Sequence, residues 1–426
     1  MNSIKFLLIF ALILLFARSA NAQQVIDARS AGMAFSNSAD TRGLAQVGLN
    51  PATLALHNKY TFEMNLASFN LSIFSNGLSK GIYDQYFTKG VTLNNDDKEH
   101  ILNSIPGTGF AGTLSAKMKA LAFYIPNFSM ALSGVGSGNI QLPREIMELA
   151  LYGNSDLDRS YDFFNLSGSA WAGAAASVSL SHRFRLSKRS YFDYVALGIT
   201  GKYFSGLAYF EIIDSRGKFQ NVGFEHDSMQ LDGMIMARTA RGGNGKGFDF
   251  GAVLHTRSQW TFGFAVLNMI GSINWNGQTE MREFSVESDS LSVSSGGISE
   301  DMIIDRDTSY AIGSFSTRLP AVIDFGVAYR GWNRWTFSAE FEKGMSENLG
   351  GSKKSRLAVG MEFTGIPLIP LRSGVSFGGQ TGFSFAFGTG LDLHFWHVDV
   401  AVINHGGFSQ KNSHGITLAA TTKLRF

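Results

Sequence analysis

The stretch "ITLAATTKLRF" (Ile416–Phe426) is the part of the chain whose reading decides the fold. Successive side chains of an extended strand point to opposite faces. Ile416, Leu418, Ala420, Thr422, Leu424 and Phe426 therefore share one face, and Thr417, Ala419, Thr421, Lys423 and Arg425 the other. A barrel wall needs this division, because one face meets lipid and the other the lumen. A soluble β-sandwich could alternate in the same way, so the rest of the chain has to decide.

Upstream the pattern recurs at regular spacing. In "VIDFGVAYR", Ile323, Phe325, Val327 and Tyr329 alternate with Asp324, Gly326, Ala328 and Arg330. In "WTFSAEFEK", Trp335, Phe337, Ala339 and Phe341 alternate with Thr336, Ser338, Glu340 and Glu342, and "LAVGMEF" sets Glu362 opposite Val359 and Met361. The polar face repeatedly carries a full charge, which a hydrated or ion-paired lumen tolerates and lipid does not. Inward positions assigned in this way include Asp249, Asp324, Arg330, Glu340, Glu342, Glu362, Arg372, Asp392, Asp399, Lys423 and Arg425. Most are expected to pair across the lumen.

The alternation predicts strands near 60–74, 111–124, 127–138, 164–185, 190–213, 247–257, 259–276, 319–330, 333–345, 354–364, 369–378, 381–391, 393–404 and 414–426. Fourteen is an even number, which returns both ends of the chain to one side of a bacterial barrel. Short connections ("PN", "SQ", "GW") then fall on one side, and long ones near 75–110, 139–163, 214–246 and 277–318 on the other. Residues 228–241 also alternate in part and are read as an excursion of the third long loop. Trp260, Trp332, Trp335 and Trp396 lie beside the short turns, where aromatic rings favour a membrane–water boundary. Two long loops carry helix signals: "NNDDKEHILNSIP", with Asn95 as a cap and Pro106 as a stop, and "LPREIMELALYG", with Pro143 at the start.

The N-terminus indicates export. Lys5, the apolar run Phe6–Phe16 and the small-x-small site Ala20-Asn21-Ala22 form a cleavable leader over residues 1–22. Without Lys5 and Arg18 the chain has 34 basic residues against 34 acidic ones, so no charge excess points to nucleic acid. There is no cysteine, which excludes disulfides, thiol catalysis and a lipidated Cys. Forty-eight Gly, 36 Phe and only 7 Pro complete the profile of an all-β transmembrane antiparallel barrel in a Gram-negative outer membrane.

Read with the barrel in place, "SAGMAFSNSADTRGLAQVGLNPATLAL" before the first strand resembles the FadL family of outer-membrane transporters of hydrophobic compounds. Further resemblances are "GKGFDFGAVLHTRSQWTFGFAVLNM", Leu319-Pro320 opening a strand, and the terminal Phe426. The style of "LPAVIDFGVAYR" and "LRSGVSFGG" is similar to the branch that includes the type IX secretion shuttle protein. The resemblance implies a fourteen-stranded barrel whose lumen is closed by an N-terminal hatch ending in an Asn-Pro-Ala motif, here Asn50, Pro51 and Ala52. The expected organisation is a leader over 1–22, a hatch over 23–57 and a barrel over 58–426. The expected function is passive uptake of a hydrophobic small molecule; the alternative is a plugged barrel that serves as a structural or shuttle partner for exported proteins. Outer-membrane lipid is the expected surrounding, with no nucleic acid, no cofactor and no metal.

Other motifs carry less. "GGNGKG" lacks the Ser or Thr and the strand-to-helix context of a phosphate loop. In "DLHFWHVD", His394 and His397 lie three apart, on opposite faces of one strand, which disfavours a metal site. No nucleophile–base grouping has informative spacing, so no enzymatic activity is expected.

Overall fold

The structure is a computed structural model that describes residues 26–90, 92–153, 160–162, 164, 166–222, 228–292 and 304–426. The leader expected over 1–22 lies outside the described residues. Fourteen strands pair antiparallel and close into a barrel. The first seven are β1 (Glu63–Ser75), β2 (Phe110–Ile125), β3 (Phe128–Leu142), β4 (Ser167–Arg185), β5 (Phe192–Val222), β6 (Ser228–Thr256) and β7 (Trp260–Trp275). The second seven are β8 (Val322–Tyr329), β9 (Trp335–Gly344), β10 (Ser355–Phe363), β11 (Leu371–Gly378), β12 (Ser384–Leu393), β13 (Trp396–His405) and β14 (Gly415–Arg425).

Closure pairs the first strand with the last, from Glu63↔Arg425 to Phe74↔Gly415. Phe426 extends the seam: its N–H donates to the Phe62 carbonyl at 2.9 Å, and its carbonyl accepts from Thr61 at 2.8 Å. The even count brings Glu63 and Phe426 to the rim that also holds the short turns. Asn127, Gln259, Arg334 and His394 in those turns all adopt φ between 64° and 68°, the left-handed conformation a tight hairpin demands.

The alternation has the expected sense. Ile416 and Leu418 are exposed on the outside of β14, whereas Thr417, Ala419, Thr421 and Lys423 are buried inside. Phe325, Val359 and Met361 face out, and Asp324, Glu340, Glu342 and Glu362 face in. Trp260, Trp332, Trp335 and Trp396 sit at the short-turn rim, where Trp260 packs on Tyr329 (4.7 Å between ring centroids) and Trp335 on Phe363 (4.6 Å). Trp171 and Trp275 are buried toward the opposite rim.

Two long connections differ from expectation. Most of residues 214–246 is strand, because β5 and β6 continue past the wall as one long hairpin, paired from Phe192↔Thr256 out to Val222↔Ser228. The alternation in 228–241 therefore belongs to the outer half of β6, and the wall count is unchanged. Residues 277–318 also contain strands: Glu280–Ser292 pairs with β6, Ile304–Ala311 with Glu280–Ser292, and Phe315–Arg318 with the end of β7. Beyond the wall both strand faces can be polar, so an acidic segment reads as loop while its backbone still finds a ladder. The helices are Asn95–Ser104, capped by Asn94 one residue before the expected Asn95, and Arg144–Tyr152 after Pro143. A third, Lys80–Tyr86, is capped by Ser79 and was not anticipated.

The core lies inside the barrel. Ala28, Ala31 and Ala34 pack on Ala386, Ala401, Ile403 and Ala419. Leu44 and Leu54 pack on Ala122, Tyr124 and Ala131, and Ala52, Ala55 and Leu56 on Tyr194, Ala196 and Val253. The N-terminal segment thus touches the inner wall on several sides.

Candidate functional site

Residues Ile26–Leu56 make a compact insert built from small residues. A helix over Ala28–Gly32 starts at Asp27, whose carboxylate accepts from the Arg29 N–H at 3.1 Å. Single 3-10 turns follow at Gly43–Gln46 and Pro51–Ala55. Pro51 fixes its own φ and keeps Asn50 extended (φ −80°, ψ 111°). The Asn50 side chain then works in two directions. Its Oδ1 accepts from the Ala52 N–H at 3.0 Å, closing the turn, and its Nδ2 donates to the carbonyls of Ala252 (3.1 Å) on β6 and Phe264 (3.2 Å) on β7. The wall makes room for this contact. A Cβ on Gly251 would stand 2.1 Å from Asn50 Oδ1, and one on Gly198 2.4 Å from Ala52 N. Part of the chain's glycine richness is therefore a docking surface.

Charges fasten the insert elsewhere. Arg29 makes a two-pronged contact with Glu362 (Nε–Oε1 2.9 Å, Nη2–Oε2 2.6 Å). Glu362 also accepts from Arg372 at 2.8 Å, Arg372 reaches Asp399 at 2.5 Å, and Asp399 meets His397 at 2.6 Å. Paired forks of this kind combine strength with fixed geometry. Asp40 is wholly buried and takes the Arg330 guanidinium, with Nε 2.8 Å from each oxygen, while Arg42 contacts it at 3.2 Å. Burial pushes the Asp40 carboxyl up, but Arg330, Arg42 and Arg29 outweigh it and hold the pKa down to about 2.

The other predicted inward residues fall into separate groups. Asp249 pairs with Lys202 at 2.8 Å and accepts from the Asn268 N–H at 2.8 Å. Asp324, Glu340 and Glu342 gather beside Arg356. Asp392 is half-buried at the short-turn rim, 3.6 Å from Arg425. Three partners were missed. Lys202 and Arg356 share the inward parity of Thr200 and Ala358, so alternation could have found them. Lys119, which donates to the Leu44 carbonyl at 3.1 Å, sits beside the Lys119/Leu121 bulge that reverses the parity of β2.

Two lumen spaces flank the insert, one of about 290 Å³ beside Arg29, Arg42 and Glu362 toward the short-turn rim and a second on its other side. The second, of about 130 Å³, is lined by Ala34, Phe35, Phe74, Thr113, Trp171 and Leu349 among others. On the outward face of the wall, toward the long-connection rim, an apolar groove of about 990 Å³ runs past Ile73, Leu114, Ile140 and Ile416 beside Tyr83 and Phe408. Phe74 and Thr113 line both the groove and the second cavity.

A family model matches residues 51–404 of this chain. The chain belongs to DUF5723, a family of unknown function. The match begins within the Asn-Pro-Ala turn, so the family pattern covers almost the whole wall and leaves out most of the insert. No curated protein matches this DUF5723 chain. Among solved structures it is similar to the toluene transporter TodX of P. putida, at 11% identity, 95% coverage of this chain and 99% of the other, with a TM-score of 0.53. It is also similar to the toluene transporter TbuX of Ralstonia pickettii (13% identity, 95% and 99% coverage, TM-score 0.49). The likeness to TodX is one of fold: a barrel of the FadL type.

Proposed function

We propose that this DUF5723 chain is an outer-membrane channel for passive uptake of a hydrophobic small molecule, with residues 23–57 as its hatch. The observation that carries the reading is an apolar groove on the outer face of the wall that backs onto the lumen cavity across Phe74 and Thr113. An apolar volume of about 990 Å³ suits one small ligand, and it lies against the outward face of the wall, with the lumen cavity above the hatch on the inner side of the same strands. Export, a closed barrel and an outward apolar belt support an outer-membrane location with lipid around the wall. The neighbours' names include toluene, which makes a single-ring hydrocarbon the natural first probe.

The test is saturable binding of radiolabelled toluene to the full mature chain in detergent, repeated with Leu114→Trp and Ile140→Trp, which fill the groove. Binding by the parent protein that both substitutions abolish supports the reading. Binding that both leave unchanged, with the barrel intact, refutes the route through the groove.

One observation favours a second reading. The lumen is largely filled by the insert and by paired charges, and cavities of about 130 and 290 Å³ lie beside them. A plugged scaffold or shuttle partner for exported proteins would look the same. Co-purification from cells under mild detergent separates the two: a stoichiometric exported protein favours the scaffold, and an extracted hydrophobic compound the channel.

A further inference from the structure

Asp324 on β8 stands directly across from Glu342 on β9, and Glu340 is the next inward residue of the same strand. Ligand oxygens from the three carboxylates all lie within 4.8 Å of one another, and the residues are at most 2% exposed. Arg356 reaches Glu342 at 3.0 Å and Glu340 at 3.4 Å. The Ser38 N–H donates to Glu340 at 2.8 Å. Neither oxygen of Asp324 meets a hydrogen-bond donor, although the side chain is wholly buried. Lys117 lies within charge range of Glu342. The Asp324 carboxyl is buried without a donor, in a place where an uncompensated charge is costly.

We propose that Asp324, Glu340 and Glu342 form a binding site for a hard divalent cation such as calcium, and that the bound ion fastens residues 34–40 to the wall. Carboxylate oxygens are the ligands such an ion prefers. At calcium–oxygen distances of about 2.3–2.6 Å, oxygens on opposite sides of the ion lie roughly 5 Å apart, whereas magnesium at about 2.0–2.1 Å asks for a tighter octahedron. The three carboxylates offer oxygens within 4.8 Å of one another, close enough for one hard cation to touch all three. The site is also continuous with the insert: Glu340 holds Ser38, while Arg356 donates to the carbonyls of Ala34 (2.6 Å) and Phe35 (3.0 Å). An ion here would take over the three carboxylates and leave Arg356 committed to those carbonyls. The fastening rests on reading residues 23–57 as a hatch; the ion site does not.

The experiment is calcium titration by calorimetry on the full mature chain in detergent, with heat-modifiable migration as the check on folding. The parent protein is expected to bind one calcium per chain, and Asp324→Asn to weaken binding at least tenfold. Glu340→Gln, made independently, should do the same. Absence of calcium binding by the parent protein overturns the site, as does binding that both variants leave unchanged. A protonated-carboxyl infrared band that Asp324→Asn removes, without calcium uptake, assigns a shared proton and also overturns it. Amide exchange over residues 34–40 should slow at least tenfold when calcium is added. Binding without that slowing overturns the fastening, while the hatch itself is judged separately by conductance.

Discussion

Glu362→Gln is the perturbation that most directly loosens the insert while leaving the wall's own ladder intact. Glu362 accepts three charge-assisted hydrogen bonds, two from Arg29 and one from Arg372, at 2.6–2.9 Å. Glutamine keeps one acceptor oxygen, loses the charge and turns an NH2 group toward two guanidinium groups. Breaking a buried pair by removing one partner costs about 3–5 kcal/mol, because the other charge stays buried. The lower end applies here, since Arg29 retains Asp40 at 3.6 Å and Arg372 retains Asp399. At about 1.4 kcal/mol per tenfold, a loss of roughly 3 kcal/mol raises the undocked population of the insert about 100-fold. Hydrogen exchange read by mass spectrometry on the detergent-solubilised protein reports that population. Peptides covering residues 28–44 should exchange about 100-fold faster in the variant, while peptides from β9 to β14 should not change. An acceleration of less than about threefold over 28–44 would refute the idea that the Arg29–Glu362–Arg372 group holds the insert.

Four other outcomes are expected. Asn50→Ala removes two bonds to wall carbonyls and a turn cap, worth about 2–4 kcal/mol together, and should accelerate exchange over residues 50–56 by at least tenfold. Gly251→Ala places a methyl group 2.1 Å from Asn50 Oδ1, so the barrel should still show heat-modifiable migration while its conductance rises. For Asp40 the folded pKa, about 2, lies below the ordinary value of 3.8. Its contribution of about 2–3 kcal/mol is therefore complete above pH 4 and lost as pH falls toward 2, and exchange over 38–44 measured at matched intrinsic rates should rise only in that window. Val359→Arg puts a charge on the outward face of β10, and a cost of about 2–4 kcal/mol near mid-membrane should appear as reduced insertion into vesicles.

The barrel was legible in the sequence because a period of two is all that a wall strand requires. Each segment from 319 onward needs one lipid face and one inner face, and Phe325 against Asp324 or Met361 against Glu362 states that need residue by residue. The outer parts of β5 and β6 were less legible, because beyond the wall nothing forces one face to be apolar and the alternation fades while the backbone pairing continues. Bulges hid Lys119 for a different reason: one extra residue reverses every later side chain. Inward direction could be read for single charges, but not their grouping. That Asp324 and Glu342 face one another while Glu362 joins Arg29, 333 residues away in sequence, follows from strand register and from the path of the insert. Neither is encoded in local pattern.

The central claim is that the N-terminal insert closes the lumen, and deletion of residues 23–49 followed by single-channel recording in planar bilayers tests it most directly. The wall strands, the β1–β14 seam and Phe426 remain in that variant, so it should still insert. The account predicts a stable open conductance in the variant and a closed baseline in the full mature chain. Inserted barrels of both forms with the same conductance would contradict it.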